Sequence, residues 1–421
     1  MKIVVAMDSF KGCLSSRDAG NAAAEGIRHV WSDAEVVVRP LADGGEGTVA
    51  ALTEGATELV TVTGPLGEPV ECEYGIIRGE EPLAVIECSG ACGLPLVPQK
   101  QRNPMYTTTY GLGEVILDAV SKGCRRFLIG LGGSATNDGG AGMLQALGYR
   151  LTDAEGNDIG RGAAGLMTLA AIAPPATTRP GESAETVDGA PAEPNPGKLA
   201  EPNPGALHEI IKKCTFRVAC DVTNPLCGPL GCSAVFGPQK GARAEDIPVM
   251  DEALRRYAEL VREFCGKHDP APAKPTAPNA ADPATPGSGA AGGLGFAFRA
   301  MLGAELLPGS QLVIQETKLE QYIADADLVF TGEGRLDEQT AMGKAPAAVA
   351  ALAQAHGVPV IALAGSVEAE ESILRKMGLT AWYGINDRTN EDLATAMRPE
   401  VARRNMAETA ARAVRDLAPR Q

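Results

Sequence analysis

The chain opens on an unbroken apolar run, Ile3-Val4-Val5-Ala6-Met7, that turns polar at Asp8. An Ala-rich stretch with helical spacing follows to about Val30. A short continuous apolar run reads as a strand buried on both faces, and Ser15 three residues before Asp18 reads as a helix N-cap. The same order of strand, glycine-containing polar loop and helix recurs at residues 35–41, 126–130 and 328–330, and an apolar strand at 360–363 follows a helical pattern at 345–356. Alternating β and α units predict a mostly parallel sheet covered by helices, an α/β fold. Ligands of such folds bind in the loops that leave the carboxyl ends of the strands.

The grammar changes between residues 59 and 87. Thr61-Val62-Thr63, the turn Gly64-Pro65-Leu66-Gly67 and the alternation over 70–77 predict an antiparallel hairpin and the start of a second domain. Two proline-dense stretches, 174–205 and 270–286, contrast with their surroundings, and Ala-Glu-Pro-Asn-Pro-Gly occurs twice in the first. Proline at this density sustains neither helix nor sheet ladders, so both are expected to be exposed, flexible insertions without chemistry, removable without loss of activity.

With 421 residues, 44% of them apolar, the chain exceeds what one core serves and predicts two or three domains. A net charge of −15 repels polyanions at long range, which argues against a nucleic-acid partner. Any phosphate pocket must then supply local donors: backbone N–H groups, a few lysines and a divalent metal. The first apolar run is too short for a signal sequence or a membrane span and no other stretch reaches spanning length, so a cytoplasmic chain without a membrane partner is expected. The ten cysteines show no C-x-x-C pair and read as reduced, buried thiols.

Four clusters carry candidate chemistry. Asp8-Ser9-Phe10-Lys11-Gly12 sets a carboxylate, a hydroxyl and a cation at the end of the first strand; a surface ion pair would look the same, yet both charges fall on the loop class that carries function. In Asp43-Gly44-Gly45-Glu46-Gly47-Thr48, glycines allow close backbone approach while Asp43 and Glu46 offer hard oxygen ligands. Gly132-Gly133-Ser134-Ala135-Thr136-Asn137-Asp138-Gly139-Gly140 lies between a strand and the helical pattern 141–147, which suits an anion at a helix N-terminus. Glu333-Gly334-Arg335-Leu336-Asp337, followed by Lys344, resembles a phosphate or magnesium station, although a salt-linked loop is similar. A further polar run, Asp221-Val222-Thr223-Asn224-Pro225, ends the strand pattern 216–219. No Walker A motif occurs, since Gly343-Lys344 is followed by Ala345, and the protein-kinase signatures are absent from the sequence. Several carboxylates with glycines favour bound magnesium over a bare anion site and name no substrate.

At these clusters the sequence resembles the bacterial glycerate kinase family, the type unrelated to P-loop and protein kinases. The resemblance also runs through Arg102-Asn103-Pro104, Thr107-Thr108-Thr109-Tyr110-Gly111 and Phe236-Gly237-Pro238-Gln239-Lys240-Gly241. It departs at Met7 and Cys13, where proline and serine are expected, and at the two proline-rich insertions. What it implies is ATP-dependent phosphorylation of D-glycerate, on the 2-hydroxyl, by a protein with a Rossmann-like domain built from both chain ends (1–58 and 288–421). An inserted α/β domain (59–287) faces it across the active-site cleft. Under this reading Lys11 neutralises the transferring phosphoryl group, and Asp138 or Asp221 accepts or orients the hydroxyl proton. Asp43, Glu46, Glu333 and Asp337 are candidate magnesium ligands. Asp8, Ser9, Gly44, Gly45, Gly132, Gly133, Ser134, Asn137, Arg335 and Lys344 contact substrate or nucleotide. The implied partners are D-glycerate, ATP and Mg2+; a homodimer is compatible with this reading, and the sequence carries no signal for oligomeric state. A kinase for the 3-hydroxyl or for another small sugar acid, and a non-catalytic sensor of acidic metabolites, are the competing readings.

Overall fold

The computed structural model describes all residues except 11, 54, 176–203, 269–279, 388, 390, 391 and 418–421. Its first sheet is five-stranded and joins both chain ends: β1 (Lys2–Met7) pairs on one side with β2 (Glu35–Val38) and on the other with a strand from the last hundred residues. Numbered in chain order, the remaining strands are β3 (Thr57–Thr63), β4 (Pro69–Ile77), β5 (Leu83–Glu87), β6 (Arg126–Gly130), β7 (Arg150–Thr152), β8 (Ala171–Ala173), β9 (Thr215–Ala219), β10 (Glu305–Leu307), β11 (Leu328–Leu336), β12 (Val360–Val367) and β13 (Ala381–Gly384).

The first sheet runs β13-β12-β11-β1-β2, all parallel. Alternate residues of β1 feed two different cores, as the doubly buried run requires. Ile3, Val5 and Met7 pack under the helices Ser16–Val30 and Pro399–Leu417, whereas Val4 and Ala6 pack with Val349, Ala350 and Ala353 of the helix Ala345–Ala355 on the opposite face. Ser15 caps the first helix by accepting the amide of Asp18 at 3.1 Å, the bond its sequence spacing predicts. Sequence order reverses between β1 and β11, so this is the topological switch point of the sheet. In register there, Met7 faces Gly332, and the amide of Asp8 donates to the Gly332 carbonyl at 2.9 Å.

The second sheet runs β10-β9-β6-β5-β4-β3, with the hairpin β3–β4 antiparallel as expected and β5, β6, β9 and β10 parallel. Its register aligns Glu87, Gly130 and Ala219 at one edge, which brings their following loops to one place. Glu305–Leu307 (β10) pairs with β9, so the chain returns to the first sheet only after Leu307. A three-residue strand carries no readable periodicity, and its partner fixes it.

The proline-rich stretches lie mostly outside the described residues. The described end of the second one is not loose, however. The Pro283 carbonyl accepts the Leu226 amide at 2.9 Å, the Asp282 carbonyl accepts from Arg299, and Ala281 packs on the core of the second sheet. The backbone carbonyls of this segment are tied to two distant elements, which prolines do not prevent because they remove donors and not acceptors. Likewise the first stretch ends in a helix, Pro204–Ile211, that begins on a proline. No helix among the described residues is long and apolar enough to cross a membrane.

Candidate active site

Two cavities open at the carboxyl ends of the two sheets, and Asp43 lines both. The smaller, about 500 Å³, sits at the switch point of the first sheet and gathers Asp8, Ser9, Glu333, Arg335, Asp337 and Lys344. Sequence clusters more than 300 residues apart therefore meet because β1 and β11 are neighbours. Asp8 is 5% exposed and accepts the Ser9 amide at 2.6 Å. Glu333 is 7% exposed and accepts the Thr340 hydroxyl at 2.6 Å, while that hydroxyl accepts the Asp337 amide at 3.1 Å. Burial pushes the Glu333 carboxyl above the ordinary glutamate range; Thr340 and Lys344 pull it back, and the charges of Asp337 and Asp43 push it up again. Two further carboxylates thus act on Glu333 within one cavity. Lys344 occupies the N-cap of the helix Ala345–Ala355, so a lysine opens that helix at the rim of the cavity. Phe10, Ile385, Leu393 and Met397 supply an apolar wall.

The larger cavity, about 870 Å³, is lined by Gly44, Gly45, Glu46, Glu87, Gly132, Gly133, Ser134, Asp221 and Lys240. The loop after Asp43 is pressed into the second sheet: a Cβ on Gly44, at φ +82°, would come within 2.3 Å of the Ala219 side chain, and one on Gly130 within 2.3 Å of the Gly44 carbonyl. Only glycine meets both demands. Asp43 Oδ1 accepts the Gly45 amide at 3.0 Å, and Glu87 Oε1 accepts the amides of Gly47 and Val49 at 3.1 and 2.8 Å. Asp221 Oδ1 accepts the Gly309 amide at 2.8 Å, at the start of the helix Gly309–Glu316.

Two candidates lie in neither cavity. Asp138 is fully buried and accepts the amides of Thr109, Gly140 and Gly142 and the Thr109 hydroxyl, at 2.9 to 3.3 Å. Four donors on one enclosed carboxylate shape the glycine loop from beneath. Asn137 is also fully buried and donates to Ser233 Oγ at 2.9 Å. Glu46 lines the larger cavity, away from the Glu333 group of the smaller. Lys11 lies outside the described residues.

Glu87 and Lys240 were not singled out from sequence as site residues. Glu87 reads as the polar end of a strand. Lys240 sits on a short turn, Pro238–Lys240, where a lysine ordinarily faces water, yet it is 3% exposed. The signal that could have found it is its place in the Phe236–Gly241 motif of the resemblance.

Among the described residues, no three His, Cys, Asp or Glu side chains converge on one metal position. Magnesium in nucleotide sites takes one or two carboxylates, with phosphate oxygens and water completing the shell. One or two of the carboxylates Asp43, Glu333 and Asp337, which line one cavity beside Lys344, suit such an ion.

The molecule is thus an α/β protein whose two cavities share one carboxylate. Residues 3–418 match the model of the glycerate kinase family. The chain is 42% identical over 388 residues to glycerate 2-kinase of Escherichia coli strain K12, covering 91% of this chain and 90% of that protein. It is 41% identical over 386 residues to glycerate kinase of Halalkalibacterium halodurans, with 91% and 90% covered. The crystal structure of a Salmonella typhimurium LT2 protein named as a candidate glycerate kinase 2 superposes with a TM-score of 0.79 at 42% identity, covering 99% of this chain and 98% of that one. The fold and these matches define an enzyme, a kinase. The chain belongs to the glycerate kinase family.

Proposed function

We propose that the enzyme transfers the γ-phosphoryl group of magnesium-bound ATP to the 2-hydroxyl of D-glycerate, giving 2-phosphoglycerate. The observation that carries this is the position of Asp43, which lines both cavities and so stands where a donor in one would meet an acceptor in the other. The name of the Escherichia coli relative supports the choice of the 2-hydroxyl.

The smaller cavity takes the nucleotide. Phe10, Ile385, Leu393 and Met397 cover the base, and Arg335 with Lys344 at the helix N-terminus binds the phosphates. One or two of the carboxylates Asp43, Glu333 and Asp337 would hold a magnesium ion, which would neutralise charge on the phosphates. Lys11 is assigned from its sequence position to the same charge. Asp8 orders the loop after β1 through its bond to the Ser9 amide. D-glycerate enters the larger cavity, where Asp221 faces it and orients its hydroxyl, while the enclosed Asp138 holds the glycine loop in shape.

Release of ADP from ATP and Mg2+ with and without D-glycerate tests the assignment. Turnover that requires D-glycerate is expected. Binding of D-glycerate without ADP release points to a sensor and overturns it.

A further inference from the structure

The larger cavity is acidic, with Asp43, Glu46, Glu71, Glu73, Glu87 and Asp221 on its walls, and Lys240 is the one cationic side chain among its described lining residues. An anionic acceptor placed at random there would be repelled, so its carboxylate needs a specific seat. Lys240 is buried, and its ammonium donates to Ser134 Oγ at 2.9 Å and to the Thr136 carbonyl at 2.7 Å. Burial draws its proton affinity below the ordinary lysine range, against the opposing pull of the Cys232, Cys88 and Cys92 thiols and of Asp138, and no ion pair joins it to a carboxylate among the described residues. An ammonium without a close carboxylate is costly to bury, and an anion that binds beside it repays that cost.

The direction of the hydrogen bonds fixes the rest. An ammonium is a donor only, so Ser134 Oγ must accept from Lys240 and keeps its single proton for another partner. Among the described residues, Lys240 is the one hydrogen-bond partner of that hydroxyl. Ser134 is 5% exposed and lines the cavity, and the adjoining Gly133, at φ +75°, opens the backbone beside it. The ammonium likewise has a third N–H beyond its two bonds.

We propose that Ser134 and Lys240 form the seat for the carboxylate of the acceptor: Ser134 donates its hydroxyl proton to a carboxylate oxygen, and Lys240 positions that hydroxyl and balances the charge. This deepens the proposed function and rests on the acceptor occupying the larger cavity. It makes the carboxylate, and not the hydroxyls alone, the feature that selects the substrate.

Steady-state kinetics and calorimetric titration with D-glycerate test it in Ser134→Ala and Lys240→Met, with glyceramide as the uncharged probe. Loss of a hydrogen bond to a charged group predicts a KM for D-glycerate raised about 10- to 100-fold in Ser134→Ala, with the KM for ATP unchanged. The preference of the wild type for D-glycerate over glyceramide should collapse in the variant. A rise in the KM for ATP instead would place a phosphate at this seat and overturn the proposal, as would an unchanged preference. If Lys240→Met fails to fold, Ser134→Ala decides alone. Calorimetry separates the two levels: D-glycerate binding that depends on Ser134 without ADP release sinks the kinase assignment and keeps the seat. Turnover with an unaltered KM for D-glycerate sinks the seat and keeps the kinase.

Discussion

Gly309 presents its bare α-carbon to the backbone of Asp43, so closely that a Cβ would stand 1.8 Å from the Asp43 carbonyl oxygen. The helix that Gly309 starts is anchored through the amide of that glycine to Asp221, in the larger cavity. Asp43 and Asp221, which both line the larger cavity, are therefore spaced by a residue with no side chain. Gly309→Ala should force the loop at 43–45 outward, cutting turnover at least 10-fold while lowering stability by about 1–3 kcal/mol. Kinetics alongside urea unfolding checks this; wild-type turnover would show that the contact does not position Asp43.

Glu333 gives a pH signature. Its folded carboxyl titrates above its unfolded value because burial disfavours the charge. The associated stability is fully present below the unfolded pKa and is lost as pH rises through the raised folded pKa. Glu333→Gln should flatten that part of the stability profile. The variant should also need more Mg2+ for half-maximal turnover, since it offers magnesium one charge fewer. An unchanged Mg2+ requirement removes Glu333 from the metal site.

Asp138 predicts a loss of a different kind. In Asp138→Asn an amide replaces a carboxylate oxygen that accepts from enclosed donors, so one N–H meets another. Destabilisation of about 1–3 kcal/mol should follow, read as a lower urea midpoint. A variant of normal stability that has lost turnover would return Asp138 to direct chemistry.

Lys240 adds an alkaline limb. Burial lowers its affinity for a proton, so the ammonium form, which an anion needs, is lost as pH rises through a value below the ordinary lysine range. The affinity for D-glycerate should fall over that window. In Lys240→Arg, whose guanidinium keeps its proton, the fall should move to higher pH. Coincident profiles for the two proteins would exclude Lys240 as the titrating group.

What was legible in the sequence was local. The buried run 3–7 with its Ser15 cap and the strand at 126–130 depend on neighbours within a few residues, and their patterns survive in the fold. Residues 8, 43 and 333 were readable as clusters because glycine and acid at strand ends have few other uses. The return of Glu305–Leu307 to the second sheet was hidden, since its partner lies more than 80 residues away. Lys240 was hidden for the same reason: what makes it unusual is a bond to Ser134 across 106 residues. The enclosure of Asp138 is equally a property of the packed loop, and no spacing distinguishes an acid that faces a ligand from one that braces a turn.

The proposed reaction is defined by the atom that receives the phosphoryl group. Phosphorus NMR of the enzyme with ATP, Mg2+ and D-glycerate should show the 2-phosphoglycerate resonance growing in step with ADP. A signal from 3-phosphoglycerate, or inorganic phosphate alone, would contradict it.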